Sequence, residues 1–424
     1  MVLLMFVASL LLMSLSLTTR GAPRHRSIKP MPEDHQLADA ISHNVAPKDL
    51  EIDLHEEKTK KVLEMAGKTT EKSKINSCSE PVTKVGFMKT HKTASSTIQN
   101  ILMRYGMNSD WNFVMYSSGS HLGPPSNQYL LNRPFSSSWV RDVPWHDMVQ
   151  EEGYNIFAFH TKWDQGEVER VLGAGGKYVT ILRDPVDEFE SLYNYVHFEK
   201  TFHMDVEQFV ADYIGARRHV QRVNGYLGRN QQLWDLGMDQ QDINNHEAVK
   251  LKIKQIDEDF DLVMIAEDFE SSLVLLSDVL CWPLANMTSL KLNARKKSAI
   301  EKLSPSARKI LKDWLWADYM LYDYFKKELE HKKKEMGAQN INNAVVKLQD
   351  LNAKIKDECV LDIVKNTNTL SSDFVPWSKD VLGFKIDESK ESCKYYGISE
   401  NHFIEHLRDL QMYRLQKWRS GQNL

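Results

Sequence analysis

The stretch Lys89-Thr90-His91-Lys92-Thr93-Ala94-Ser95-Ser96-Thr97 packs cations and hydroxyl groups into a short run of small residues. If it links a strand to a helix, its unpaired backbone N–H groups and the positive helix end face an incoming anion. Lys92 adds a full charge, and Thr93, Ser95, Ser96 and Thr97 add hydroxyl donors. A phosphate or sulfate ester suits such a loop. The same residues also fit a capped helix start with a solvent-facing lysine. A Walker A loop is excluded, because G-x-x-x-x-G-K-[ST] is absent and the nearby glycine, Gly86, lies inside the preceding apolar run.

Two further places carry groups of interest. Arg183-Asp184-Pro185 is followed by Ser191, which puts an arginine at a strand end and a serine two turns into the next helix. His160 closes the apolar run Tyr154–His160. Each has an ordinary alternative: a strand-end salt bridge, a helix-surface serine, a structural histidine.

The elements that must position these groups are legible as alternating patterns. Lys84–Thr90, Tyr154–His160, Tyr178–Arg183 and Asp261–Glu267 read as buried strands. Ile98, Ile101, Leu102 and Tyr105 share one helix face, with Ser95 or Ser96 as the expected N-cap and Gly106 as the C-cap. Asp184-Pro185 opens a helix reaching about His197, and Asp268 caps one reaching Leu280. Strands alternating with helices predict an α/β fold, a parallel sheet flanked by helices. From about Ser304 onward the chain reads as helices packed on the sheet, followed by a more exposed helix pair through Cys359.

The chain has 424 residues, 42% hydrophobic, with a formal net charge of −4, so no general basic field points to nucleic acid. Cys78, Cys281, Cys359 and Cys393 form no CxxC pair and have no histidine at metal-ligand spacing, which argues against zinc. Cys359 and Cys393 are the expected disulfide, and Cys281 reads as a buried core thiol. Residues 1–19 hold the apolar run Val2–Leu17, between a signal-peptide core and a short membrane anchor in length. Either sends the chain into the secretory pathway, where disulfides form. Residues 20–77 read as a polar stem without a packed core, and residues 78–424 as the folded domain. Asn286-Met287-Thr288 is a glycosylation sequon.

Phe87–Gly106, Val179–Tyr193, Asp261–Trp282 and Leu290–Arg295 together resemble, in order, the galactose 3-O-sulfotransferase family, and within it most nearly the galactosylceramide sulfotransferases. The looser Lys-Thr-Ala-Ser pattern is also similar to heparan sulfate 2-O-sulfotransferases. The resemblance implies a P-loop-like sulfotransferase fold and 3′-phosphoadenosine 5′-phosphosulfate (PAPS) as donor, with no metal required. It implies that Lys92 contacts the bridging oxygen of the phosphosulfate, with Lys89, Thr93, Ala94, Ser95, Ser96 and Thr97 around it. Arg183 and Ser191 would hold the 3′-phosphate. His160 would be the general base, with His91 and Glu188 in reserve. The implied acceptor is a galactose-terminated glycolipid (galactosylceramide or lactosylceramide) or a glycan; Trp163, Tyr193, Tyr195 and His197 lie near the motifs and could face a sugar, but each reads first as a core residue. The implied location is the Golgi membrane, single-pass type II with a luminal catalytic domain. A kinase-like phosphotransferase and a catalytically inert luminal binding protein are the competing readings; neither acceptor nor oligomeric state is fixed by the sequence.

Overall fold

Four short apolar runs build one parallel sheet: β1 (Val85–Met88), β2 (Ile156–Phe159), β3 (Lys177–Leu182) and β4 (Leu262–Ile265). Every residue of β1, β2 and β4 is buried, as expected for strands covered on both faces. The order is β2-β1-β3-β4 and all neighbours run parallel. Phe87 sits between Ala158 and Val179, and Ile181 faces Met264. The α/β class read from the sequence is the one observed. This computed structural model describes residues 80–117, 133–212, 222–223, 227–292, 302–364, 370–375 and 381–421. The apolar leader, the stem, Cys78 and the end of Leu290–Arg295 lie outside the described residues.

The helices that bear on the site are α1 (Ser95–Asn108), α2 (Gln165–Leu172), α3 (Pro185–Tyr195), α4 (Gln231–Asp235), α5 (His246–Asp259), α6 (Phe269–Leu280), α7 (Pro305–Trp314), α8 (Trp316–Met336), α9 (Ala338–Cys359), α10 (Glu391–Gly397) and α11 (Glu400–Ser420). Two begin as their sequences predict. Asp184 accepts from the N–H groups of Val186 and Asp187 with Pro185 in the first turn of α3, and Ser304 accepts from Ala307 N ahead of α7.

Four local expectations are corrected. Asp268 stands at the N-cap position of α6, but its side chain makes no cap hydrogen bond and accepts from Lys333 Nζ instead. The residue preceding α1 is Ala94, in left-handed backbone (φ 68°), and no side chain caps the helix. Ser95 is not free to cap it, since its hydroxyl donates to Thr90 O at 2.6 Å. Gly106 lies inside α1 and does not end it; a Cβ there would stand 2.6 Å from Ile156 Cδ1 and 2.7 Å from Phe113 Cζ. That glycine admits the strand and the following loop against the helix. Finally, Cys281 is half-buried and disulfide-bonded, not a core thiol; its partner lies outside the described residues.

The C-terminal third does more than cover the sheet. After α9, β5 (Val360–Val364) pairs antiparallel with β6 (Gly383–Ile386), and Cys359–Cys393 ties this hairpin to α10 as expected. The chain then returns to α1. Asn100 Nδ2 donates to Tyr395 O (2.8 Å), and the Gln411 side chain of α11 bonds both Phe113 N (2.9 Å) and Phe113 O (3.1 Å). The Arg104 guanidinium lies 3.9 Å from the Tyr396 ring centroid. Burial lowers the pKa of Arg104, and Tyr396 works against that shift.

Candidate active site

The groups singled out above gather at the carboxyl ends of three adjacent strands. The loop Lys89–Ala94 leaves β1, His160 follows β2, and Arg183 follows β3. In an open parallel sheet this edge is where ligands bind.

Hydroxyl groups inside the loop set its shape. Thr90 Oγ1 donates to Ile181 O (2.5 Å) and stands 2.7 Å from Thr93 Oγ1, while Ser95 reaches back to Thr90 O. Thr93, Ser95 and Thr97 are all buried. The Thr93 and Ser95 hydroxyls thus brace the loop, whereas the sequence had suggested that they face an anion together with those of Ser96 and Thr97. What the loop offers is backbone. Lys92 (φ 57°) and Ala94 (φ 68°) are both left-handed, an arrangement that turns successive N–H groups toward one concave side at the start of α1.

Three cations surround this nest. Arg183 Nη1 donates to Lys92 O at 3.0 Å, so the β3 end is fastened to the loop crown. Lys92 Nζ lies 3.7 Å from the Tyr195 ring centroid, a cation–π contact. Lys89 is only 1% exposed and is ion-paired to Glu400 of α11, whose other oxygen accepts from Ser96 Oγ at 3.2 Å. Burial lowers the pKa of Lys89, and Glu400 opposes that by favouring the charged form.

A second assembly orients two imidazoles. The rings of His91 and His160 stack with centroids 4.3 Å apart and planes 21° from parallel. Asp235, at the end of α4, accepts from His91 N (2.7 Å), from His91 Nδ1 (2.9 Å) and from Gln231 Nε2 (2.8 Å). With Nδ1 carrying the proton donated to Asp235, Nε2 is the basic nitrogen of His91. The adjacent Gln232 clasps the Arg183 backbone, accepting from Arg183 N (2.8 Å) and donating to Arg183 O (2.9 Å). Asp318 of α8, fully buried, accepts from Gln232 N (3.1 Å) and Leu233 N (2.9 Å) at the start of α4. One short helix therefore couples the loop histidine to the strand-end arginine.

The galactose-3-O-sulfotransferase family model matches residues 43–403, well over half of the chain. The chain belongs to that family. Among its relatives, galactose-3-O-sulfotransferase 2 of Sus scrofa is 29% identical over 72% of this chain and 77% of its own length. Galactosylceramide sulfotransferase of Bos taurus is 29% identical over 73% of each chain, and galactose-3-O-sulfotransferase 3 of Homo sapiens is 29% identical over 80% of this chain and 79% of its own.

In this galactose-3-O-sulfotransferase family member, Ser191 is buried on α3, two turns beyond the Asp184 cap, and Glu188 is buried on the same helix. The Asp184 cap is held by Tyr319 of α8 (3.0 Å) and by Arg308 of α7 (3.6 Å). Burial pushes the Tyr319 hydroxyl pKa up, and the neighbouring Asp184 charge adds to the shift. Of the aromatic candidates, Trp163 and Tyr193 are core, and the Tyr193 hydroxyl donates to Met204 O (2.8 Å). Tyr195 is 37% exposed beside Lys92. Asn286 is half-buried; the Thr288 hydroxyl of its sequon lies 2.7 Å from Tyr396 OH. Among the described residues, no helix is long and apolar enough to cross a membrane, and no group of three or more His, Cys, Asp or Glu is placed to hold a metal ion.

Sequence reading missed Asp235, Asp318 and Glu400. Asn230-Gln231-Gln232-Leu233-Trp234-Asp235 does carry a signal, a run of amide and acid side chains at i, i+4 spacing wedged between apolar residues. All of Asn230, Gln231, Gln232 and Asp235 are buried. Buried polar groups need partners, so such a run marks a polar network. Glu400 had no local signal.

Proposed function

We propose that this protein transfers a sulfuryl group from PAPS to the 3-hydroxyl of a terminal β-galactose, with galactosylceramide as the favoured acceptor, in the Golgi lumen behind a membrane anchor formed by residues 1–19. The observation that carries the reading is the Arg183–Lys92 contact. It joins a nest of backbone N–H groups to two cations, which suits a nucleotide with separate 3′-phosphate and 5′-phosphosulfate groups. Similarity to proteins named galactosylceramide sulfotransferase and galactose-3-O-sulfotransferase supports the acceptor sugar.

On this reading the 5′-phosphosulfate rests on the Lys92–Thr97 nest, and Arg183 with Ser191 takes the 3′-phosphate. The acceptor oxygen attacks sulfur in line with the bridging oxygen. The S–O bond to the 5′-phosphate breaks, and 3′-phosphoadenosine 5′-phosphate (PAP) leaves. Lys92, on a flexible four-carbon stem, moves from Tyr195 to the bridging oxygen and stabilises the charge that grows there. His160, the more exposed of the stacked imidazoles, takes the hydroxyl proton. His91, pinned by Asp235, holds the His160 ring in place. Asn286 carries an N-glycan on this reading.

The test is an acceptor panel with sulfur-labelled PAPS: galactosylceramide, lactosylceramide, N-glycan termini and free lactose. The expected product is labelled galactosylceramide whose galactose survives periodate, because sulfation at O3 removes both vicinal diols of the 2,3,4-triol. Label on a galactose that periodate still cleaves rejects 3-O-transfer. Label on glycoprotein termini alone keeps the regiochemistry and rejects the glycolipid preference.

A further inference from the structure

The Glu400 carboxylate occupies the donor loop in a way that the proposed reaction does not use. It comes from the first turn of α11, 304 residues from Ser96, and is bonded at once to Lys89 Nζ and to Ser96 Oγ. Lys89 is buried, yet the Glu400 side chain retains 24% exposure. A serine hydroxyl has one proton to donate. While Ser96 donates to Glu400 it has none to give to an anion in the nest whose first helical turn it occupies. Lysine has three donors and is not limited in this way.

We propose that Glu400 is a positioning residue that stands in for the donor's anion at the Lys89–Ser96 corner, and that an anionic nucleotide must displace it from Ser96 in order to bind. The proposal rests on the loop being the PAPS site. Three features support exchange over permanent bracing. The Glu400 side chain is partly open to water, so the carboxylate has an alternative partner when it leaves. It is carried on the first turn of a helix, just after the Ile398–Ser399 connection from α10, a place where a small backbone adjustment moves the side chain. And its negative charge beside the nest opposes the charge of phosphosulfate, an unfavourable term present only while the two share the corner. Glu400 thereby trades donor and product affinity for a loop that stays ordered without nucleotide.

The experiment is calorimetric titration of the folded enzyme with PAP, comparing wild type with Glu400→Gln and Glu400→Asp. Glu400→Gln keeps the shape and removes the charge, and PAP is expected to bind about tenfold more tightly. Glu400→Asp keeps the charge on Lys89 but is too short to span to Ser96, and about threefold tighter binding is expected. A purely structural brace predicts the opposite sign, because damage to the loop weakens binding. Equal or weaker PAP binding by the folded variants overturns the proposal; if Glu400→Gln does not fold, Glu400→Asp decides alone. Should wild type bind no PAP, the reading of the loop falls and the proposal falls with it, which separates that failure from a wild type that binds while the variants show no gain.

Discussion

Two carboxylates from distant parts of the chain grip different residues of the same loop, and their settings differ. Asp235 is almost fully buried, with a side chain 2% exposed, and both its oxygens are used by His91 and Gln231. Glu400 has a side chain 24% exposed and holds the Lys89 ammonium and the Ser96 hydroxyl. The first is locked by a network in which each member satisfies another, the kind of arrangement that fixes a geometry once the chain has folded. The second sits where a ligand's own oxygens can replace it. On the proposed reading the loop is rigid on its imidazole side and exchangeable on the side that takes the phosphosulfate, which is the division of labour expected if a proton acceptor must stay aligned while a nucleotide comes and goes.

Substitutions can break that contrast. The loop cation sets the ceiling: Lys92→Ala is expected to lower kcat about 10³-fold with PAP binding reduced far less, because its charge acts mainly as the S–O bond breaks. Single-turnover rates beside calorimetry give the split, and a kcat within about threefold of wild type removes Lys92 from the chemistry. On the rigid side, Asp235→Asn puts an N–H₂ group against donors from His91 and Gln231. A loss of roughly 30- to 100-fold in kcat is expected, with PAP affinity nearly kept, in line with about 2 kcal/mol or more for a charged hydrogen bond. If instead PAP affinity falls and kcat holds, Asp235 serves the nucleotide side and the contrast is wrong. Arg183→Ala is expected to raise the donor KM about 30-fold with little change in kcat, since the 3′-phosphate is held alike before and during transfer. The gain expected for Glu400→Gln is the smallest of these effects and the only one of favourable sign.

Legibility in the sequence followed the same line. Whatever depends on neighbours in sequence could be read directly: the apolar runs that became β1 to β4, the Asp184-Pro185 and Ser304-Pro305 helix starts, and the loop itself. Local pattern failed where tertiary contact overrode it. Ser95 looks like a helix cap but spends its hydroxyl on Thr90 O. Gly106 looks like a helix end but is there for the close approach of Ile156 and Phe113. Cys281, in a run of apolar residues, looks like a core thiol but is disulfide-bonded. Asp235 and Glu400 acquire meaning only through partners 144 and 304 residues away, and no spacing rule reaches that far.

The most direct test of the loop's assignment is a calorimetric comparison of PAP with ATP on wild type and on Arg183→Ala. ATP lacks the 3′-phosphate, so wild type should bind PAP at least about tenfold more tightly than ATP, and Arg183→Ala should erase most of that preference. Equal affinity for the two nucleotides in wild type, or a preference that survives loss of Arg183, would contradict the placement of the donor on this strand edge.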